Sequence, residues 1–267
     1  MKALSKIYTF LVFLFLYAPI IILIIFSFND TQTFSRTVFS GFTLRWYKQL
    51  FEDRLIMEAL RNTLVIAVAS AIISTIIGTM AAFGINKMKK LPKRFMMTVT
   101  NIPMVNPDIV TGVSLMLLFV FAVSLMNMRS LGMATLIIAH VTFCLPYVIL
   151  SVLPKLRQMD SSLYEAAQDL GCPPAKAFMK VVIPEIMPGI ITGMIMAFTL
   201  SIDDFVISYF CSGTTQTLPI YIYSMTRKRI SPEINALSTV LFAAILILLM
   251  IINLRNAKDS KKEGKKR

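Results

Sequence analysis

Apolar residues form long runs along most of the chain, and short polar segments rich in Lys and Arg separate these runs. Several runs reach the length of about 20 residues that a helix needs to cross a bilayer core. They predict membrane-spanning helices at residues 7–28, 62–86, 95–126, 131–154, 185–210 and 234–254. The predicted fold class is therefore all-α, a polytopic membrane protein with about six transmembrane helices.

The third run contains the segment NIPMVNPD, in which Pro103, Asn106 and Pro107 interrupt an otherwise apolar stretch. Two structures fit this pattern. The run forms one long kinked helix, or it breaks and Asn106 caps a second helix that begins at Pro107. Breaks inside membranes occur where protein or a water-filled cavity covers the freed backbone groups.

Residues 160–188 are the one stretch that resembles a soluble helical hairpin. Ser162 stands three residues before Glu165, the spacing of a capping box, so we expect a helix to begin at Ser162. Its apolar positions recur at helical spacing, and Gly171 ends it. These apolar positions are Leu163, Ala166, Ala167 and Leu170.

A second short helix is predicted after this turn. Pro173 and Pro174 suit its first turn, and Pro184 is expected to close it because proline lacks an amide hydrogen. Its apolar positions are Ala177, Phe178, Val181 and Val182. Two short helices, each with an apolar side and followed directly by a membrane span, indicate a docking device for another protein.

Composition supports a membrane protein. Hydrophobic residues make up 56% of the chain and charged residues only 15%, against about a quarter charged in ordinary soluble domains. The net charge of +13 comes from clusters at the ends of the apolar runs, which indicates the positive-inside rule rather than nucleic-acid binding.

An N-terminus in the cytoplasm would place 18 of the 27 Lys and Arg residues inside. We therefore predict that both termini and the hairpin are cytoplasmic. Residues 1–254 are interpreted as a single transmembrane domain, and residues 255–267 as a solvated, disordered basic tail.

Enzyme signatures are absent from the sequence. It has one His, no glycine-rich phosphate loop followed by Lys and Ser or Thr, and no zinc-type pairing of His and Glu. We expect no catalytic residue, no metal and no cofactor on this chain, so any energy comes from another protein or from an ion gradient.

Asp108, Asp203 and Asp204 lie within the apolar runs, which contain no Lys or Arg. A charge at the bilayer centre costs on the order of 2.5–3.5 kcal/mol, so such residues usually face a cavity or a partner. A cationic solute would supply the missing countercharge. The alternatives stay open: Asp108 caps a helix, and Asp203 or Asp204 bonds a neighbouring helix.

Three other side chains also have two interpretations. His140 either hydrogen-bonds across helices or conducts protons. Tyr221 and Tyr223 serve as interface anchors or offer an aromatic face to organic cations. Glu165 either completes the capping box or has a functional role.

The hairpin resembles the EAA loop of permeases from binding-protein-dependent ABC importers. The matching residues are Glu165, Ala166, Ala167, Gly171, Val181, Ile183 and Pro184, and two of them, Val181 and Ile183, stand where the usual pattern has Ile and Leu. The segments PDIVTGVSLMLLF, HVTFCLPYVI, FTLSIDDFVISYF and SPEINALST extend the resemblance over nearly the whole chain, towards the spermidine and putrescine permeases of this family.

This resemblance implies a type I ABC importer permease of MetI-like fold in the bacterial cytoplasmic membrane. It implies a homologous second permease, a cytoplasmic ATPase dimer that binds ATP and Mg²⁺, and an external substrate-binding protein. The implied ATPase-coupling residues of the loop at 160–184 are Glu165, Ala166, Ala167, Asp169, Gly171 and Pro184. The residues that we expect to line the solute pathway are Asp108, Asp203, Asp204 and Tyr223.

Three other functions stay open at this point. The first is an importer of the same family for ferric iron, thiamine or an anion, although an anion fits the three acids poorly. The second is a secondary transporter that moves protons through Asp108, His140 and Asp204. The third is a membrane scaffold for a soluble partner.

Overall fold

The structure, a computed structural model of the chain, describes residues 2–30, 39–125, 131–228, 233–247 and 250. The basic tail at 255–267 and the end of the last predicted span lie outside the described residues. The α-helices in chain order are α1 Lys2–Ser27, α2 Arg45–Glu52, α3 Arg54–Lys87, α4 Lys90–Val105, α5 Asp108–Leu125, α6 Met133–Gln158, α7 Ser161–Asp169, α8 Pro174–Ala177, α9 Ile183–Asp203, α10 Val206–Cys211, α11 Leu218–Lys228 and α12 Glu233–Ile247.

Within this described part, five segments are long and apolar enough to cross a membrane. They are Lys6–Ser27, Arg54–Lys87, Asp108–Leu125, Met133–Gln158 and Pro174–Asp203. The helix α12 is apolar but shorter over its described residues. The predicted all-α, multi-span fold class is confirmed.

The third predicted span is broken. Helix α4 ends at Val105 and α5 begins at Asp108, and Asn106 between them is extended, with φ −68° and ψ 140°. A residue that precedes proline avoids the helical region because of a clash with the proline ring, and Asn106 precedes Pro107. A single helix over 95–126 is therefore wrong, and the predicted break is confirmed. Asn106 is the C-cap of α4, and the second helix begins at Asp108, one residue later than predicted.

The prediction that Pro184 closes the second hairpin helix is also wrong. A π-helical turn, Phe178–Val182, joins α8 to α9, and the amide of Ile183 donates to the carbonyl of Phe178, five residues earlier. The wider turn changes the pairing directly before Pro184, whose missing amide would otherwise interrupt the ladder. One helical path therefore runs from Pro174 to Asp203.

The fifth predicted span, 185–210, breaks near its other end. Helix α9 ends at Asp203, and the short helix α10 begins at Val206. Asp204, between them, has an extended backbone with φ −65° and ψ 116°. Asp203 and Asp204 therefore belong to the end of one helix and the approach to another, not to the middle of a single span.

The chain divides into two compact units, one made of Met1–Met57 with Ile222–Arg267, the other of Glu58–Tyr221. In the second unit, α6 is the most buried span. A Cβ added at Gly78 of α3 would lie 2.7 Å from Cγ1 of Val148, and one added at Gly193 of α9 would lie 3.2 Å from Cα of the same valine. Two glycines therefore let α3 and α9 approach α6 closely at Val148, as small residues do between membrane helices.

In the first unit, α2 packs against the end of α1. The Trp46 indole N–H donates to the backbone carbonyl of Asn29 over 2.9 Å. The hydroxyls of Ser27 and Tyr47 lie 2.6 Å apart. Trp46 is buried, so these bonds fix the amphipathic helix α2 beside the end of the first span.

Candidate functional site

Helix α7 of the hairpin begins with a cap that differs from the predicted one. An oxygen of Asp160 accepts a hydrogen bond from the amide of Ser162 over 3.0 Å, and this bond lowers the pKa of the Asp160 carboxyl. The predicted capping box of Ser162 and Glu165 is therefore wrong. Aspartate two residues earlier satisfies the free amide equally well, which leaves Glu165 exposed on the surface of α7.

Gly171 ends α7 and forms the turn of the hairpin, as predicted. Its φ is +80°, the left-handed conformation that favours glycine. The amide of Gly171 donates to the carbonyl of Gln168 over 2.8 Å, and that of Cys172 donates to Ala167 over 3.0 Å. These two bonds form a Schellman motif, which satisfies the last carbonyls of α7 and reverses the chain towards α8.

The outer surface of the hairpin is exposed and partly apolar. Leu170 is 89% exposed and Met179 69%, and Leu163 is also exposed. The predicted coupling residues on this surface are Glu165, Ala166, Asp169, Gly171 and Pro184, all exposed, whereas Ala167 is half-buried. The hairpin therefore presents apolar side chains, small residues and two acids to whatever lies outside the chain.

The inner surface of the hairpin packs on the end of α3. The ring of Phe83 makes edge contacts with the rings of Phe178, with centroids 4.7 Å apart, and Tyr164, with centroids 5.9 Å apart. The ammonium group of Lys87 lies over the same cluster, 4.1 Å from the centroid of Tyr164. Both arms of the hairpin therefore rest on one turn of α3.

The three predicted acids converge from two directions. Asp108 lies in the first turn of α5 and is exposed, and Asp203 is the exposed last residue of α9. The carboxylate of Asp204 is within electrostatic range of both. Gly112, one turn after Asp108, makes this possible, because a Cβ there would lie 3.0 Å from the ring of Phe210 in α10.

Asp204 differs from the other two acids because its side chain is only 7% exposed. Its carboxylate accepts hydrogen bonds from the amides of Ile207, over 3.3 Å, and Ser208, over 2.8 Å. These amides belong to the first turn of α10 and have no partner within that helix. Asp204 therefore serves to start α10, which leaves Asp108 and Asp203 as the acids with exposed carboxylates.

His140 is buried at the centre of this region, with 1% exposure. Its Nδ1 lies 2.7 Å from the hydroxyl of Ser201 in α9, and its Nε2 lies 3.0 Å from the hydroxyl of Ser208 in α10. Both ring nitrogens thus have a neighbour on another helix. The predicted hydrogen bonding of His140 across helices is confirmed.

Tyr147 is a site residue that the sequence analysis missed. It is half-buried on α6, its ring contacts that of Phe143 edge-on at 5.7 Å, and its hydroxyl is within electrostatic range of Asp108. It follows His140 by seven residues, a spacing that places both on one face of a helix. That spacing is the signal that would have found it.

Tyr223 lies in α11, in the compact unit that does not contain the three acids. Its ring is 41% exposed, and the guanidinium of Arg227 lies 6.0 Å from the ring centroid. The tyrosine therefore already contacts a cation of its own helix. Its place on a solute pathway stays a prediction.

The chain is similar in sequence to known transport proteins. Residues 74–256 match the family described as binding-protein-dependent transport system inner membrane component. The putrescine transport system permease PotI of Escherichia coli K12 is 42% identical over 242 residues, 88% of this chain and 84% of that protein. The spermidine/putrescine transport system permease PotC of the same strain is 38% identical, over 90% of this chain and 88% of that protein.

A crystal structure of a bacterial ABC transporter involved in the import of the acidic polysaccharide alginate has a similar fold. The TM-score is 0.72, with 94% of this chain and 92% of that chain covered. The sequences are only 16% identical, so this likeness concerns the fold alone.

Proposed function

The chain belongs to the family of inner-membrane components of binding-protein-dependent transport systems, and we propose that it forms half of the pathway of an ATP-driven polyamine importer. It is a transport component and not an enzyme. The observation that carries the choice of solute is the convergence of Asp108, Asp203 and Asp204 beside helices α5 and α9, which contain no Lys or Arg.

The chemistry of polyamines fits this arrangement. A polyamine carries several ammonium groups joined by short methylene chains, so it needs carboxylates for the charges and apolar or aromatic walls between them. Asp108 and Asp203 offer exposed carboxylates, and Tyr147 offers an aromatic ring near Asp108. Aromatic faces attract ammonium groups by about 0.5–2 kcal/mol.

Uptake into vesicles that contain the complete importer tests the choice of solute. We expect uptake of labelled putrescine or spermidine that unlabelled polyamine blocks and that thiamine or ferric iron does not. Asp108→Asn should raise the KM, whereas Glu58→Gln, which removes an exposed acid of α3 outside the cluster, should not. Uptake blocked by thiamine or iron instead would reject the polyamine assignment.

The hairpin is the proposed point of contact with the ATPase. Its exposed surface contains Glu165, Ala166, Asp169 and Gly171, with Ala167 half-buried beside them. Small residues allow a partner to approach closely, and the helical path through Pro184 leads directly into α9. Closure of the ATPase on ATP and Mg²⁺ would then move α9 and alternate the opening of the pathway.

The proposed assembly contains this chain, a homologous PotB-like permease, two copies of a PotA-like ATPase and an external PotD-like binding protein. Both termini and the hairpin face the cytoplasm in this arrangement. Cys172 provides a test, since it is half-buried at the hairpin turn, whereas Cys144 and Cys211 are buried. A membrane-impermeant maleimide should label Cys172 from the cytoplasmic side alone, and labelling from outside would overturn the topology. Cys172→Ala is the control.

The proton-driven alternative would require protons to pass through Asp108, His140 and Asp204. His140 and Asp204 are almost completely buried, and each is engaged with the ends of α9 and α10. Uptake that persists after ATP depletion and stops when the proton gradient collapses would restore that alternative.

A further inference from the structure

The last turn of α3 carries a ring and a cation that both contact the hairpin. Phe83 and Lys87 are four residues apart, so they share one face of the helix. Phe83 contacts Tyr164, which belongs to α7, and Phe178, which belongs to the π-helical turn. The chain reverses direction at Gly171, between the two arms of the hairpin. Phe83, which lies outside the hairpin, therefore holds both arms together.

The ammonium group of Lys87 contacts two rings of this cluster. It lies 4.1 Å from the ring centroid of Tyr164 and 4.8 Å from that of Phe83. In the part of the chain that the structure describes, no carboxylate lies within ion-pair distance of this ammonium. The contacts that orient Lys87 are therefore with rings of two different elements, and one of these elements is the hairpin.

The end of α3 is also joined to α4. The ammonium of Lys93 donates to the side-chain oxygen of Asn86 over 3.0 Å and to its backbone carbonyl over 3.2 Å. Helix α4 then leads to the break at Asn106, directly before Asp108. Displacement of the end of α3 would therefore be passed along α4 towards the first exposed acid.

We propose that Lys87 is a positioning residue for energy coupling, which locks the hairpin to α3 so that one movement of the hairpin displaces two helical paths. The first path runs through α9 to Asp203. The second runs from Phe83 and Lys87 through the end of α3 and α4 to Asp108. This inference rests on the proposed function, since it assumes that an ATPase moves the hairpin.

The test compares substitutions of Lys87 in the complete importer, with solute uptake and ATP hydrolysis measured together. Lys87→Met should lower the solute moved per ATP by about two- to five-fold, the range expected for an exposed cation–ring contact. The amount of assembled complex and the KM should not change. Lys87→Arg keeps a cation over the rings and should restore the ratio, and Lys89→Met, in the adjacent turn, is the matched control.

A double-mutant cycle separates the contact from a general effect of charge. Tyr164→Leu removes the ring, including its contact with Phe83, and should cause at least the same loss, whereas Tyr164→Phe should preserve coupling. Lys87→Met combined with Tyr164→Leu should lose less than the sum of the two single losses, because either substitution removes the contact that they share. Additive losses, failure of Lys87→Arg to restore coupling, or a Lys87→Met variant with normal coupling would each overturn the inference.

Gly171→Val provides the reference that separates the two levels of the proposal. If Gly171→Val uncouples the importer and the Lys87 variants do not, the lock is rejected and the hairpin keeps its function. If neither uncouples, the proposed role of the hairpin is rejected as well.

Discussion

Nε2 of His140 lies 3.6 Å from Oδ2 of Asp204, and this approach joins the N-terminal third of α6 to the break between α9 and α10. Both side chains are buried, so each depends on the other groups of the cluster for its polar contacts. Removing one partner of such a cluster leaves the others unsatisfied, at a cost of about 1–3 kcal/mol for each buried group.

The first prediction is that His140→Ala lowers the thermal stability of the permease in detergent. The hydroxyls of Ser201 and Ser208 would lose their neighbour in α6. Thr142→Ala is the control, since this exposed hydroxyl of the same helix donates to the carbonyl of Ile138 within that helix. Equal melting temperatures for the two variants would show that the cluster does not brace the helices.

The second prediction separates the two adjacent acids. Asp204→Ala removes the oxygens that accept from Ile207 and Ser208, and loss of a capping side chain costs about 0.5–2 kcal/mol, so its main effect should be a lower melting temperature. Asp203→Ala removes an exposed carboxylate and should raise the KM for polyamine at an unchanged melting temperature. Polyamine binding and thermal unfolding should be measured on both variants. A higher KM for Asp204→Ala together with a lower melting temperature for Asp203→Ala would contradict this division.

The third prediction concerns the contact of α3 with α6. Gly78→Ala places a methyl group 2.7 Å from Cγ1 of Val148, and forcing an extra carbon into a packed core costs typically about 1–3 kcal/mol. Gly84→Ala, on the same helix, meets no atom within 4 Å and should be neutral or slightly stabilising. Val148→Ala removes Cγ1 but keeps Cβ, 2.9 Å from the added methyl group, so it should restore only part of the lost stability. Equal melting temperatures for Gly78→Ala and Gly84→Ala would refute the contact.

The fourth prediction concerns the hairpin turn. Gly171→Val forces a branched side chain into a backbone with φ +80°, which costs about 1–2 kcal/mol and distorts the turn. We expect the permease to remain in the membrane while ATP hydrolysis no longer drives uptake. Asparagine adopts this backbone conformation more readily than valine does. Since no atom of the chain lies within 4 Å of a Cβ at this position, the effect of Gly171→Asn measures how much space a bound partner leaves at the turn. Normal uptake by Gly171→Val would count against coupling through the hairpin.

Hydropathy and local turn chemistry predicted much of the fold. The apolar runs located most of the spans, and Gly171 ended α7 as expected because its signal is local. The predicted cap of α7 at Ser162 was wrong, because Asp160, two residues earlier, also suits the position and its carboxylate accepts from the amide of Ser162. The prediction for Pro184 was wrong because the amide of Ile183 donates a hydrogen bond to the carbonyl of Phe178, five residues earlier, in place of the ordinary α-helical pairing.

The three acids of the candidate site were predicted from the sequence, but its other residues were harder to predict. Asp108, Asp203 and Asp204 stood out because a carboxylate in an apolar run is expensive. Tyr147 did not, because aromatic residues are ordinary in membrane helices and only packing brings this one near Asp108. The contact of Lys87 with Tyr164 joins residues distant in sequence, so it depends on how the hairpin folds back onto α3.

The helical path through Pro184 sets the scale of movement available to the importer. The 30 residues from Pro174 to Asp203 form a rod of about 45 Å at 1.5 Å per residue. A tilt of about 5° at the hairpin end displaces the opposite end by about 4 Å. That displacement exceeds the length of a hydrogen bond between a carboxylate and an ammonium group, about 2.8 Å. In the proposed importer, a small rotation at the ATPase would therefore be sufficient to break a contact between Asp203 and a bound cation without bending of α9.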